Sequence, residues 1–270
     1  GCSSPLVQFV QEKIASSIIG DLARETQLVR FLVLSDIHAN ATALEAALSA
    51  VTGRWERSVC LGDMVGYGPD PNECVERIRA LPNLTCLIGN HDKAAIGGID
   101  ISAFNVDARL AIGWTQRALT PNSREYLNNL PERALHGNYT LVHASPRQPV
   151  WEYILDRFTA EQNFAYFNTS YCVVGHTHMP IMYIKLNGDV MEMRANYDEI
   201  LSLGRDRIII NPGSVGQPRD SNPDAAYAML DFETNHWEFR RVPYDIAATQ
   251  SRMSDAGLPP RLIARLQKGW

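Results

Sequence analysis

Short apolar blocks separated by polar stretches set the rhythm of this chain, and the period changes from block to block. Phe31–Ser35 is an apolar run of strand length and reads as a strand buried on both faces. Ala41–Val51 is rich in alanine and leucine and reads as a helix, with Asn40 placed to cap it. Ser58–Leu61 predicts a second strand. Asp70-Pro-Asn-Glu73 opens a helix to about Ala80, with proline in the first turn, and Leu84–Ile88 predicts a third strand. An order of strand, helix, strand, helix, strand predicts parallel strands joined by helical crossovers.

The middle of the chain is helical. Residues 102–119 and 121–130 predict two helices, with Thr120 a cap for the second. Arg133–Leu135 and Tyr139–Val142 flank Gly137-Asn138, a hairpin signal, and residues 159–167 predict a short helix. From Tyr171 onward strands dominate: 171–174, 181–186, 190–195, 207–210, 226–231 and 237–241, with Asn187-Gly188 as a tight turn. Residues 245–254 and 260–268 close the chain as helices. Ahead of all this, Leu6, Val7, Val10, Ile14, Ile18 and Leu22 recur at helical spacing. The expected organisation is a helical segment over residues 1–30 and one domain over 31–270, with two packed sheets and helices outside both.

Composition narrows the class. Apolar residues make up 45% of the 270, enough for a sizeable core. Net charge is −5 with both signs well mixed, which argues against an extended nucleic-acid surface. No stretch approaches the ~18 apolar residues of a membrane span. The five cysteines follow no zinc or redox spacing, and Cys60, Cys86 and Cys172 sit in apolar runs. They read as small buried hydrophobes, and the expected location is cytoplasmic. A lipid anchor on Cys2 would need an upstream signal segment.

The chemistry sits where the apolar runs end. Asp36 and His38 close Phe31-Leu-Val-Leu-Ser-Asp-Ile-His38, and Asp63 closes Val59-Cys-Leu-Gly-Asp63. Asn90 stands in Leu87-Ile-Gly-Asn-His-Asp92, His143 closes Tyr139-Thr-Leu-Val-His143, and His176 and His178 close Val173-Val-Gly-His-Thr-His178. The chain has seven histidines, and five of them fall in or beside these clusters. Open α/β sheets bind ligands beyond the carboxyl ends of their strands, so these side chains are expected along one rim. Imidazole, carboxylate and one amide oxygen, with no thiolate, suit manganese, iron or zinc at a working site. Seven ligands exceed what one ion with an open position needs and suit two divalent ions sharing a carboxylate. With Asp36 and Asp63 bound and a hydroxide between the ions, about one positive charge remains, which attracts a phosphoryl group.

In this order the motifs resemble those of the calcineurin-like metallophosphoesterases: Asp36-Ile-His38, Gly62-Asp63, Gly89-Asn-His-Asp92, His143 and Gly175-His-Thr-His178. The resemblance runs from Phe31 to His178 and extends to about Arg241. It implies a mixed α/β fold, a four-layer α-β-β-α sandwich of two mixed sheets. It implies that Asp36, His38 and His178 hold one ion, that Asn90, His143 and His176 hold the other, and that Asp63 bridges them. It also implies a hydroxide held on the ions that attacks phosphorus, with His91 as the acid for the leaving oxygen and Asp92 orienting its ring. The alternative for His91 is a hydrogen bond to the substrate phosphate.

Substrate contacts are less defined. Asn90 can turn its amide NH₂ to substrate oxygen. Tyr67, in the Gly66–Pro71 loop, stacks on a base or covers the core. Arg147 and Arg219 are candidate phosphate clamps, and the Asn211–Arg219 loop is a turn that braces the site or touches phosphate. The expected activity is hydrolysis of phosphodiester or phosphomonoester bonds in small molecules or nucleotides. A protein serine/threonine phosphatase or dinucleoside polyphosphate hydrolase is the alternative, weakened because Gly62-Asp-Met-Val-Gly-Tyr-Gly68 lacks the Asp and Arg of Gly-Asp-x-x-Asp-Arg-Gly. A catalytically inactive metal-binding scaffold is the reading outside enzymes.

Overall fold

The structure, a computed structural model, describes residues 29–197 and 199–270. The helix expected over Leu6–Leu28, and Cys2 with it, lies outside the described residues. Strand β1 is Arg30–Leu34, followed by α1 (Ala41–Ala50), β2 (Arg57–Cys60), α2 (Pro71–Arg79) and β3 (Leu84–Cys86). Strands β1, β2 and β3 pair in parallel, as the crossover pattern requires. Asn40 caps α1 by accepting from the Ala43 amide, and Pro71 occupies the first turn of α2.

Next come α3 (Asn90–Ala95), α4 (Val106–Ala118), α5 (Pro121–Asn128), the antiparallel hairpin β4 (Arg133–His136) and β5 (Tyr139–Val142), and α6 (Arg157–Asn163). The remainder is β6 (Tyr171–Val173), β7 (Ile181–Leu186), β8 (Asp189–Arg194), β9 (Leu201–Ser202), β10 (Arg207–Asn211), β11 (Ala225–Asp231), β12 (His236–Val242), α7 (Ile246–Asp255) and α8 (Pro260–Arg265). One six-stranded sheet runs β3-β2-β1-β11-β12-β9 and the other β4-β5-β6-β10-β7-β8. Both are mixed: β5, β6 and β10 are parallel in the second sheet, and its remaining pairings are antiparallel.

Period-two alternation explains the layers. In β1, Phe31 and Val33 join Tyr139, Tyr171, Ile210 and Trp237 between the two sheets, while Leu32 and Leu34 face Leu44, Leu48 and Ile78 of the helices outside. Cys172 and Ile209 turn outward in the second sheet, against Ala160 and Phe164. The result is the expected order of helix, sheet, sheet, helix. Cys60, Cys74, Cys86 and Cys172 are all buried and free. No helix among the described residues is long and apolar enough to cross a membrane.

Several boundaries differ from expectation, each for a local reason. The helix expected from residue 102 begins at Val106, because Asn105 caps it through the Ala108 amide and Ser102 is held by Asp100 instead. The third strand stops at Cys86, and the chain after it turns into α3, a helix too short to carry a sequence period.

Candidate metal centre

Five strands, parallel within their own sheets, deliver their carboxyl ends to one rim. Asp36 and His38 follow β1, Asp63 follows β2, Asn90 and His91 begin α3 after β3, His143 follows β5, and His176 and His178 follow β6. The chain turns sharply at each exit. Asp36, His38, Asp63, His176 and His178 all have positive φ, between 48° and 65°, a conformation that costs a non-glycine residue on the order of 1 kcal/mol. Gly89 answers a different need, for space. A Cβ there would lie 2.0 Å from Asp63 Oδ1 and 2.5 Å from the Asp63 amide nitrogen.

Backbone carbonyls fix the histidine protons. His38 Nδ1–H donates to the Val65 carbonyl at 3.2 Å, and His178 Nδ1–H donates to that of Gln217 at 2.5 Å. His143 Nδ1–H donates to Leu61 at 3.1 Å, and His176 Nε2–H to Trp151 at 3.2 Å. A carbonyl only accepts, so the other ring nitrogen of each neutral imidazole carries a lone pair. Those nitrogens converge, the one on His143 carrying a lone pair once it gives up the proton that its raised pKa holds there. His38 Nε2 and His178 Nε2 are 3.1 Å apart, with Asp36 Oδ1 at 3.8 and 3.3 Å. His143 Nε2 lies 3.2 Å from His176 Nδ1 and 3.1 Å from Asn90 Oδ1. Between the two convergences stands Asp63 Oδ2, 3.6 Å from His38 Nε2 and 3.4 Å from His143 Nε2.

Asp36 Oδ1 and Asp63 Oδ2 are buried with no hydrogen-bond partner. Acceptors crowded on acceptors inside a protein are unfavourable unless a cation lies among them. The donor set therefore fits metal. Three overlapping groups have ligand atoms within 4.8 Å of one another: Asp36, His38 and His178; His38, Asp63 and His91; and Asp63, His143 and His176.

The ionisation of the site points the same way. Burial would raise the Asp63 carboxyl, but His143, His91 and His38 around it hold it below the usual carboxylate range. Burial would lower His143, but Asp63, Asp36 and Asp92 outweigh it and bring its pKa up to about 9. Positive charge is thus drawn to the spot. Burial pushes Asp36 up to about 6 and drives His38, His176 and His178 well below the ordinary imidazole value, so these three are neutral and able to ligate.

His91 is buried beside the convergences, its ring against Tyr67, His38 and Phe104, and its Nδ1 has no hydrogen-bond partner. Burial lowers its pKa to about 4. The orienting contact expected from Asp92 is not made. Asp92 Oδ2 accepts from the amides of Asp63 at 2.7 Å and Gly89 at 3.0 Å, and Oδ1 accepts from Val65 at 3.1 Å. Its carboxylate stitches the loop after β2 to the start of α3, and so positions Asp63 rather than the His91 ring. It is Asp63 Oδ1 that accepts from the His91 amide, at 2.8 Å.

Tyr67 is buried under Phe104, Ala108 and Leu266 and also lies against His38 and His91, so it covers the core and edges the site together. Arg147 is taken up by Glu152 and Gln162. Arg219 lies near the centre, its guanidinium 6.0 Å from the Tyr67 ring centroid. The Asn211–Arg219 loop braces: Ser214 Oγ–H and the Gly216 amide both donate to the Asp36 carbonyl, and Asn211 Nδ2–H donates to that of Gly175. Sequence reasoning missed Tyr153, which stacks on His176 at 3.8 Å. It also missed the carbonyls of Leu61, Val65, Trp151 and Gln217, because a backbone oxygen leaves no mark in a sequence.

With this geometry in view, the chain matches the model of the calcineurin-like phosphoesterase superfamily domain over residues 29–235. An uncharacterised protein of Methanocaldococcus jannaschii is 36% identical over 243 residues, covering 88% of this chain and 97% of that protein. The crystal structure of a metallophosphoesterase from Sphaerobacter thermophilus superposes with a TM-score of 0.83 at 45% identity, covering 90% of this chain and 100% of that one. A hypothetical protein from Pyrococcus horikoshii shares the fold, with a TM-score of 0.74 at 24% identity over 90% of this chain and 99% of its own.

Proposed function

Since the chain belongs to the calcineurin-like phosphoesterase superfamily, we propose that it is a hydrolase that uses two divalent ions to cleave phosphodiester or phosphomonoester bonds of small molecules or nucleotides. The observation that carries this reading is the pair of lone-pair convergences with the partnerless Asp63 Oδ2 between them. Asp36, His38 and His178 would hold one ion, and Asn90, His143 and His176 the other, with Asp63 shared. Bound divalent ions supply Lewis acidity toward phosphoryl oxygen and acidify water from 15.7 towards ~7.

The chain's own residues do the rest. The carbonyls of Val65, Gln217, Leu61 and Trp151 lock the imidazoles, so the ligands need no reorganisation when substrate arrives. Asn90 offers an amide NH₂ to a phosphoryl oxygen while its Oδ1 faces His143. His91 is neutral in its buried setting; the negative charge of a bound phosphoryl group would raise its proton affinity, so that it takes a proton from water and passes it to the leaving oxygen, or donates its ring N–H to the phosphate as a hydrogen bond. Asp92 holds the loop that carries Asp63.

Bis-p-nitrophenyl phosphate and p-nitrophenyl phosphate, each offered to manganese-loaded protein, test the reading. Turnover of either that disappears with chelator is the expected result. Absence of turnover on both, in protein with measured metal, would favour a scaffold.

A further inference from the structure

Two guanidinium groups share one neutral acceptor beside the centre. Arg219 Nη2–H donates to Gln217 Oε1 at 3.1 Å, and Arg265 Nη1–H approaches the same oxygen at 3.5 Å. Three other partly buried arginines are matched to carboxylates, Arg147 to Glu152, Arg241 to Asp220 and Arg252 to Asp70, and Arg109, Arg124 and Arg207 donate to backbone carbonyls. Among the described residues, Arg219 and Arg265 have no such ion pair. Arg219 Nε is buried without a hydrogen-bond partner, and so is Gln217 Nε2. Burial first and then the Arg219 charge lower the Arg265 pKa, outweighing Tyr67 and the more distant Asp107 carboxylate, which raise it. Holding two like charges together, partly out of water and with no carboxylate paired to either, is costly, so such a cluster suits an anion.

Its place is beside the reacting groups. Gln217 supplies the carbonyl that fixes His178, the Arg219 amide donates to the His178 carbonyl, and the Arg219 guanidinium lies by Tyr67. Arg265 stands in α8, past residue 235 where the family match ends, so this half of the pair comes from outside the matched domain.

We propose that Arg219 and Arg265, joined through Gln217, form an anion subsite next to the metal centre, and that the substrate carries a second phosphoryl group besides the one cleaved. The substrate half of this inference rests on the reading of the centre as a phosphoester hydrolase. Charge decides for a second group. Two divalent ions less the charges of Asp36, Asp63 and a hydroxide leave about one positive charge. The two arginines bring the total to about three, more than one phosphoryl dianion matches.

The test compares thymidine 3′,5′-bisphosphate with thymidine 5′-monophosphate, by calorimetry on the manganese-loaded full chain. The bisphosphate should bind roughly 10- to 100-fold more tightly, the scale of charge-assisted hydrogen bonds. Arg265→Gln should reduce that advantage to within about threefold, and Arg265→Lys should keep part of it. Equal affinity of the wild-type protein for the two ligands overturns the inference, and so does an advantage that survives Arg265→Gln. If Arg265→Gln does not fold, the wild-type comparison alone decides. Bis-p-nitrophenyl phosphate separates the two readings. Turnover without a bisphosphate advantage sinks the subsite alone, whereas an advantage without turnover sinks the hydrolase and leaves an anion-binding site.

Discussion

His38 and His178 meet Nε2 to Nε2 at 3.1 Å, each with its Nδ1–H committed to a backbone carbonyl. Two lone pairs at that spacing repel, and a cation between them turns repulsion into ligation. Manganese should therefore stabilise the fold, by about 2.7 kcal/mol at a free concentration of 100 Kd. His178→Ala should remove most of that gain. Thermal melts with and without the metal check both, and an unchanged melting temperature on addition of metal to wild-type protein would count against the centre.

Asp63 Oδ2 faces both histidine groups while Oδ1 accepts from the His91 amide. Asp63→Asn retains an acceptor for that amide but loses the charge, so both ions should bind weakly. Metal analysis after dialysis should find far less than the wild-type content. Wild-type stoichiometry in the variant would show that Asp63 is not shared.

Metal uptake should grow stronger as pH rises. His143, at about 9, holds a proton at neutral pH on the nitrogen that faces Asn90 and His176, and an ion must displace it. Affinity should rise by up to ~10-fold per pH unit below that value, for one proton released. Without added metal the sign reverses. The folded pKa of His143 lies above its ordinary 6.5, so its stabilising contribution is complete below 6.5 and is lost as pH rises through about 9. The melting-temperature gain from metal should thus be larger on the alkaline side; a gain independent of pH would contradict the linkage.

His91→Ala should lower turnover by ~10²–10⁴ while metal content stays at the wild-type level. His91 also lies in one of the groups able to hold metal, with His38 and Asp63. Loss of an ion in the variant would reassign His91 as a ligand.

Gly89→Ala should destabilise by roughly 1–3 kcal/mol, the range for overpacking a tight interior. The φ of Gly89 is −94°, so the requirement is for room beside Asp63 rather than for an unusual backbone. Denaturant melts give the loss directly, and a variant as stable as wild type would show that the loop after β2 can give way.

The apolar runs with their terminal Asp, Asn and His residues were legible in the sequence, because a strand and the residue that leaves it are local features. So were the parallel order of the first three strands and the stacking of two sheets between helices, since crossovers and buried faces leave periods in the chain. Tertiary structure alone decided what those residues touch. Asp92 is adjacent to His91 in sequence, yet its carboxylate serves the amides of Asp63, Val65 and Gly89, because the turn into α3 carries it away from the ring. The proton positions on His38, His143, His176 and His178 are set by carbonyls up to 82 residues away in the chain. Arg219 and Arg265 are brought to the same Gln217 oxygen by packing of the last helix. Hydrogen bonds to backbone oxygens and encounters between distant segments are properties of a closed fold, and no local pattern of side chains encodes them.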